Sequence, residues 1–178
     1  MILCWDLKGK HMLKIRSART EDATITATIN VLGWKTAYRG LVPDELLDAL
    51  SVTEKRIERF EDQILQCEIF LVAENEKGVV GYLCAGKPRD NDIPYEYEIY
   101  AFYVHPDFQR KGVGSNLFDK FKEKIQGSSF CVYVLDGNMK GINFYQKMGG
   151  TRYPEFDKEQ EAYHYMMHEL LFGFKGEK

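Results

Sequence analysis

The amino-acid pattern predicts a mixed α/β (α+β) domain, a mostly antiparallel sheet flanked by helices. Two observations carry this. Three strand-like segments, residues 68–73, 79–85 and 95–104, follow one another with no helix between them, which favours antiparallel pairing. The third is joined to the apolar run 130–135 through an amphipathic helix, a right-handed crossover that makes one parallel pair.

Taken in order, Leu13-Lys14-Ile15-Arg16 is an opening strand and residues 17–20 a turn. Thr20 is the expected N-cap of a first helix, with Glu21 and Asp22 suited to its positive end. That helix carries Ala23, Ala27, Val31, Trp34 and Tyr38 at near-helical spacing and ends by Gly40. Pro43-Asp44-Glu45 opens a short second helix, and Ser51-Val52-Thr53-Glu54 has the form of a capping box before a third. Residues 74–78 are polar and end in glycine, a hairpin turn between the strands 68–73 and 79–85. Residues 95–104 are aromatic and β-branched between Pro94 and Pro106, the best strand in the chain. Val113, Leu117, Phe121 and Ile125 recur every four positions, one face of a helix. Residues 140–148 form the next helix, stopped by Gly149-Gly150. A hairpin of strands near 151–156 and 162–171 closes the chain.

Composition narrows the function. Charged residues at 29% and apolar residues at 44% describe an ordinary globular chain, and 178 residues suit one domain. The expected division is an extension over 1–12, a domain over 13–172 and a loose tail over 173–178. A net charge of −3 argues against nucleic acid as a partner. No apolar run approaches the roughly 20 residues that span a bilayer, and no secretory signal opens the chain, so a cytoplasmic protein without membrane contact is expected. Cys4, Cys67, Cys84 and Cys131 contain no CxxC pair and sit in apolar or strand-like surroundings, which predicts buried inert thiols. His164 and His168 have i,i+4 spacing, but their segment alternates like a strand and would not hold them as a chelating pair, so no metal is expected. The exposed edge of the closing hairpin suits a homodimer.

The chemistry centres on Gln109-Arg110-Lys111-Gly112-Val113-Gly114, between the strand 95–104 and the helix that begins at Val113. A glycine-bearing turn at a helix start presents unpaired N–H groups and a positive dipole end, which suits a phosphate, although a plain tight turn has the same pattern. Arg110 and Lys111 favour a pyrophosphate. The dinucleotide and nucleoside-triphosphate fingerprints are absent.

Residues 98–106 followed by Gln109–Gly114 resemble the acetyl-CoA-binding motif of the GNAT superfamily of N-acetyltransferases, Q/R-x-x-G-x-G/A. A second stretch agrees: Asn138, Gly141, Phe144, Tyr145 and Gly149 are similar to the family's N-x-x-A-x-x-F-Y-x-x-x-G-F, in register. Gly141 departs from the usual alanine and Gly150 from the usual aromatic residue. The resemblance covers the element order from about Leu13 to Leu171. It implies a GNAT-like acyl-CoA N-acyltransferase fold, acetyl-CoA (coenzyme A) as cofactor, and a primary amine as acceptor.

By that resemblance Gln109, Arg110, Lys111, Gly112, Val113 and Gly114 hold the pyrophosphate. The main chain of Phe102, Tyr103 and Val104 pairs with the pantetheine arm, and Asn138 meets its side. Tyr145 lies near the sulfur as general acid, the alternative being a core tyrosine with a satisfied hydroxyl. Glu98 is the candidate base, with Glu96 or water as alternatives. Residues 34–43 resemble a segment bordering the acceptor in members acting on small amines. There Trp34 and Tyr38 form an aromatic wall against a cation or else belong to the core. Glu96 and Glu98 favour a polyamine-like or otherwise cationic small molecule. A protein amine as acceptor, or a non-catalytic acyl-CoA sensor, are the other readings.

Overall fold

The computed structural model describes residues 13–162 and 164–176. The expected extension over 1–12, with Cys4 and His11, lies outside them. In chain order the elements are β1 (Lys14–Ser17), α1 (Ala23–Ala37), α2 (Asp44–Ala49), α3 (Glu54–Gln66), β2 (Ile69–Asn75), β3 (Gly78–Gly86) and β4 (Tyr97–Val104). Then come α4 (Val113–Ile125), β5 (Phe130–Leu135), α5 (Met139–Lys147), β6 (Thr151–Arg152), β7 (Lys158–Ala162) and β8 (Tyr165–Phe174). The strands form one sheet in the order β1-β2-β3-β4-β5-β8-β6, with β7 also against β8. As expected, β2, β3 and β4 are antiparallel and β4 is parallel to β5.

Period-2 alternation divides the apolar residues between two faces. Ile69, Leu71 and Ala73 of β2 turn toward α4 and α5, where Leu117, Phe118, Phe121 and Phe130 make the larger core. Phe70 and Val72 turn the other way, under Ala27 and Ile29 of α1 and Phe60 of α3. A third cluster joins α1 and α2 (Val31, Leu47, Leu50) to Leu135 and Met167. These helices therefore cover opposite faces, and any opening within the sheet is flanked by both layers.

Several local expectations change. Thr20 opens a 3-10 turn, and Asp22 rather than Thr20 orders the start of α1, its carboxylate accepting from Arg19 N–H at 2.8 Å and from Arg16 at 2.6 and 3.0 Å. The cap of α3 is Thr53, which accepts from Arg56 N–H at 3.2 Å, two residues beyond the expected Ser51. The closing hairpin is β7 with β8, not residues 151–156 with 162–171. Strand β7, Lys-Glu-Gln-Glu-Ala, lacks an apolar face because it is the outer strand, so its sequence carries no alternation to read. The expected tail over 173–178 begins too early. Phe174 belongs to β8 and stacks on Phe130 at 4.4 Å, because an aromatic pair there completes the α4–α5 core. Cys67 and Cys84, expected as free thiols, are joined as a disulfide between the end of α3 and β3, with Cα atoms 6.7 Å apart. Cys131 is a free buried thiol, which burial pushes up to about 12.

The family's usual aromatic residue at position 150 is replaced in space. A Cβ there would stand 2.7 Å from Phe174 Cζ, so the β8 ring fills the volume instead. Among the described residues no helix is long and apolar enough to cross a membrane.

Candidate active site

The site begins with a failure of pairing. Strand β4 pairs with β5 only at Tyr97–Ile99 against Phe130–Val132, yet β4 runs on to Val104 and β5 to Leu135. The cause is a bulge. Against β3 the register passes from Cys84↔Ala101 to Ala85↔Ile99, leaving Tyr100 as an extra residue on β4. A bulge bends its strand and increases its twist, so β4 turns away from β5 at the residue where their pairing stops. Beyond it, along Phe102, Tyr103 and Val104, no strand pairs with β4 on the side away from β3. The V-shaped gap at the carboxyl ends of a parallel pair is where an α/β ligand binds.

The loop after β4 leads to one end of that gap. His105 caps a 3-10 turn at Pro106–Phe108, its Nδ1 accepting from Asp107 N–H at 3.3 Å. Backbone φ is positive at Arg110 (61°) and Gly112 (84°), and Gly112 is the N-cap of α4. That left-handed geometry is why glycine stands at 112. The first main-chain bond of α4 is Asn116 N–H to Gly112 O at 3.0 Å, so Val113, Gly114 and Ser115 present N–H groups without a helical acceptor. The Gln109 side chain ties the loop to the end of β4, its Nε2 donating to Val104 O at 3.1 Å. Val113 is buried and offers only its main chain. Lys111 stands 5.4 Å over the Phe108 ring. Asn138 caps α5, its Oδ1 accepting from Gly141 N–H at 3.2 Å. A Cβ at 141 would stand 2.9 Å from Asn138 Nδ2 and 3.1 Å from Val134 Cγ1, so this turn is packed closely where the motif has alanine.

Tyr145 and the pair Tyr38–Tyr103 occupy the two sides of the gap. Tyr145 is 7% exposed on the α4–α5 side, among the rings of Phe102 (6.4 Å), Phe144 (5.3 Å) and Phe172 (6.5 Å). Burial, and secondarily the Tyr38 phenol, push its hydroxyl well above the usual phenol range. On the other side Tyr38 and Tyr103 share a hydrogen bond of 3.0 Å between hydroxyls, and burial raises both. Gly33 makes room for this, since a Cβ there would overlap the Tyr103 ring. Trp34 meets Tyr38 edge to face at 4.9 Å, and both pack against the Leu135–Met167 cluster. Trp34 and Tyr38 are thus partly core, as one of the two readings expected, and Tyr38 reaches β4 through Tyr103.

Glu98 and Glu96 do not converge on the gap as expected. Glu98 is fully buried, and both of its oxygens are occupied by Arg89. Oε2 accepts from Arg89 N–H at 2.8 Å, and Oε1 from Arg89 Nε at 2.9 Å and from its Nη2. A buried carboxylate engaged on both oxygens by one arginine is committed to that ion pair. Glu96 lies before β4 begins, at the opposite end of the strand from Gly112. It accepts from Ser129 N–H at 2.9 Å and from the hydroxyls of Ser128 and Ser129 at 3.4 and 3.3 Å. It has no part in this site.

Two residues here were not anticipated. Arg89, in the polar loop before β4, carries no motif. Glu169 had a signal: it falls between Met167 and Leu171 in the β8 alternation, a carboxylate at an inward-facing position.

A family model described as an acetyltransferase (GNAT) domain matches residues 66–149. The chain is 33% identical over 150 residues to the uncharacterized N-acetyltransferase YuaI of Bacillus subtilis, covering 81% of this chain and 83% of that one. It is 28% identical over 141 residues to the L-amino acid N-acyltransferase MnaT of Escherichia coli, covering 77% and 78%. The crystal structure of the PaiA N-acetyltransferase of Thermoplasma acidophilum in complex with coenzyme A superimposes with a TM-score of 0.71 at 20% identity, covering 93% of this chain and 99% of that one.

Proposed function

The chain belongs to the GNAT family of N-acetyltransferases, and from that premise we propose that it transfers the acetyl group of acetyl-CoA to the primary amine of a small molecule. The observation that carries this is the gap between β4 and β5, with a β4 edge that no strand pairs with along one wall and the α4 N-terminus at its mouth. The residues present fit that cofactor. N–H groups at 113–115, with Arg110 and Lys111 beside them, suit a pyrophosphate. The edge of Phe102–Val104 that faces away from β3 has no strand beside it and suits an extended amide-bearing arm added like a strand, and Asn138 stands at the start of α5.

Acetyl-CoA supplies the activated thioester; the chain supplies position, a polarising N–H near Val104 and protons. Burial disfavours the phenolate, so Tyr145 carries its proton at neutral pH; its hydroxyl at the gap is the donor assigned to the departing sulfur. Trp34, Tyr38 and Tyr103 border the acceptor side.

A small acceptor is favoured because α1 and α2 close over that side against Leu135 and Met167. The similarity to an enzyme named for L-amino acids points the same way. The polyamine-like preference rested on Glu96 and Glu98; Glu98 is engaged by Arg89, and Glu96 lies at the other end of β4 against Ser128 and Ser129.

Thiol release from acetyl-CoA, measured against n-butylamine, spermidine, L-leucine and a lysine-containing tetrapeptide, tests the reading. Turnover of a small amine above that of the peptide is the expected result. Tight CoA binding without turnover of any amine would sink it.

A further inference from the structure

Glu169 is a carboxylate whose hydrogen bonding is incomplete. It lies on β8, opposite Leu135 of β5 on one side and Lys158 of β7 on the other. Its Oε2 is buried and has no hydrogen-bond partner among the described residues. Lys158 Nζ stands 3.8 Å away, close enough for an ion pair but too far for a hydrogen bond, and is drawn over the Tyr133 ring at 3.5 Å. Leaving a buried carboxylate oxygen without a donor is costly, and such a group calls for an explanation.

Its position supplies one. Glu169 shares the inward alternation of Met167, which packs with Leu135 and against Trp34 and Tyr38. It is also within electrostatic reach of Tyr38, the residue bonded to Tyr103 and felt by Tyr145. Glu169 therefore lies on the face of the sheet that carries Tyr38 and the α1–α2 cluster, the acceptor side in the reading above. The charged and titratable groups facing it are Lys158 from β7, Arg89 from the loop before β4, Glu98 from β4, Tyr133 from β5 and Tyr38 from α1. Burial raises Glu169 above the ordinary glutamate range, against the pull of Lys158 and Arg89 and with the push of Glu98. That direction brings a carboxylate toward the working range of a general base.

We propose that Glu169 receives the acceptor's ammonium group on Oε2 and takes a proton from it, an inference that rests on the acetyl-transfer reading above. One N–H bond breaks and one O–H bond forms, and the nitrogen keeps its electron pair. That pair makes the C–N bond as the acetyl C–S bond gives way. Tyr145 gives its proton to the sulfur and regains one shed by the new amide nitrogen, while Glu169 releases its own to solvent. Glu169 thus takes the role that Glu98, held by Arg89, does not fill.

The test joins side-chain carboxyl carbon NMR on the cofactor-free protein to turnover in wild type, Glu169→Gln and Glu169→Asp. Glu169 should titrate above the ordinary glutamate range, and n-butylamine should shift that titration downward by stabilising the charged form. Glu169→Gln should lose about 100-fold or more in kcat/KM at neutral pH, the scale of a lost general base. Its remaining activity should follow the free amine, rising about tenfold per pH unit. Glu169→Asp should recover part of the loss, and CoA affinity should be unchanged in both. A Glu169→Gln enzyme within about threefold of wild type, with the same acid limb, overturns the inference while leaving acetyl transfer standing. A Glu169 resonance indifferent to n-butylamine overturns it even if the variants fail to fold. Wild type that turns over no amine while this resonance still responds supports the ammonium site and sinks the transfer reading instead.

Discussion

Glu98 accepts three hydrogen bonds from one residue, Arg89: two from the guanidinium and one from the main-chain N–H. The guanidinium lies 5.1 Å over the Tyr100 ring, so the loop before β4 is pinned at the bulge that opens the sheet. Arg89→Ala should strand a fully buried carboxylate and destabilise the fold by about 3 kcal/mol. Urea unfolding of Arg89→Ala, Glu98→Gln and the double variant checks this. The double variant should be less destabilised than the two single losses added together.

Tyr103→Phe should cost about 1 kcal/mol, because Tyr38 keeps a buried hydroxyl without its partner. The same change loosens the acceptor wall. Thermal unfolding and the KM for the amine should both move, with the KM for acetyl-CoA little altered.

Tyr145→Phe removes the hydroxyl and keeps the ring, so the aromatic core around it should hold and CoA should still bind. Turnover should fall about 100-fold or more. Unchanged turnover would make Tyr145 a core residue only. In wild type no alkaline limb below the ordinary phenol range should come from this group, since its shift is upward.

At Gly112, with φ at 84°, alanine should cost about 1–2 kcal/mol of stability. It should also turn the N–H groups of the first turn of α4 away from their common focus. Calorimetry should register weaker CoA binding, even at a temperature where the variant is folded.

Asp22 joins β1, α1 and β2 through Arg16, which also donates to Glu74 at 2.9 Å. Burial pushes Asp22 up, but bonds from Arg16 and from Arg19 N–H outweigh it and hold the carboxyl below its ordinary value. The folded value being the lower one, this stabilisation is complete above the ordinary carboxylate value near about 3.9 and is lost as pH falls further. Asp22→Asn should lower stability at neutral pH by about 2 kcal/mol and flatten its acid dependence. Equilibrium unfolding across an acid series is the measurement.

The sequence by itself determined the parts that depend on near neighbours along the chain. The four-residue period from Val113 to Ile125, the turn at Gly112 and the parallel crossover are local or nearly so, and each is present. Three consecutive strands implied antiparallel pairing for the same reason. Tertiary structure alone decided which polar groups are free. Glu98 and Glu169 look alike in sequence, each an acidic residue in a strand. Arg89 donates to both oxygens of one, and among the described residues nothing donates to Oε2 of the other. The disulfide of Cys67 with Cys84, the bulge at Tyr100 and the meeting of Tyr38 with Tyr103 are likewise contacts between distant segments. Alternation shows which face a side chain takes; its partner depends on how separate strands and helices are brought together, and that partner decides whether a carboxylate here is structural or available.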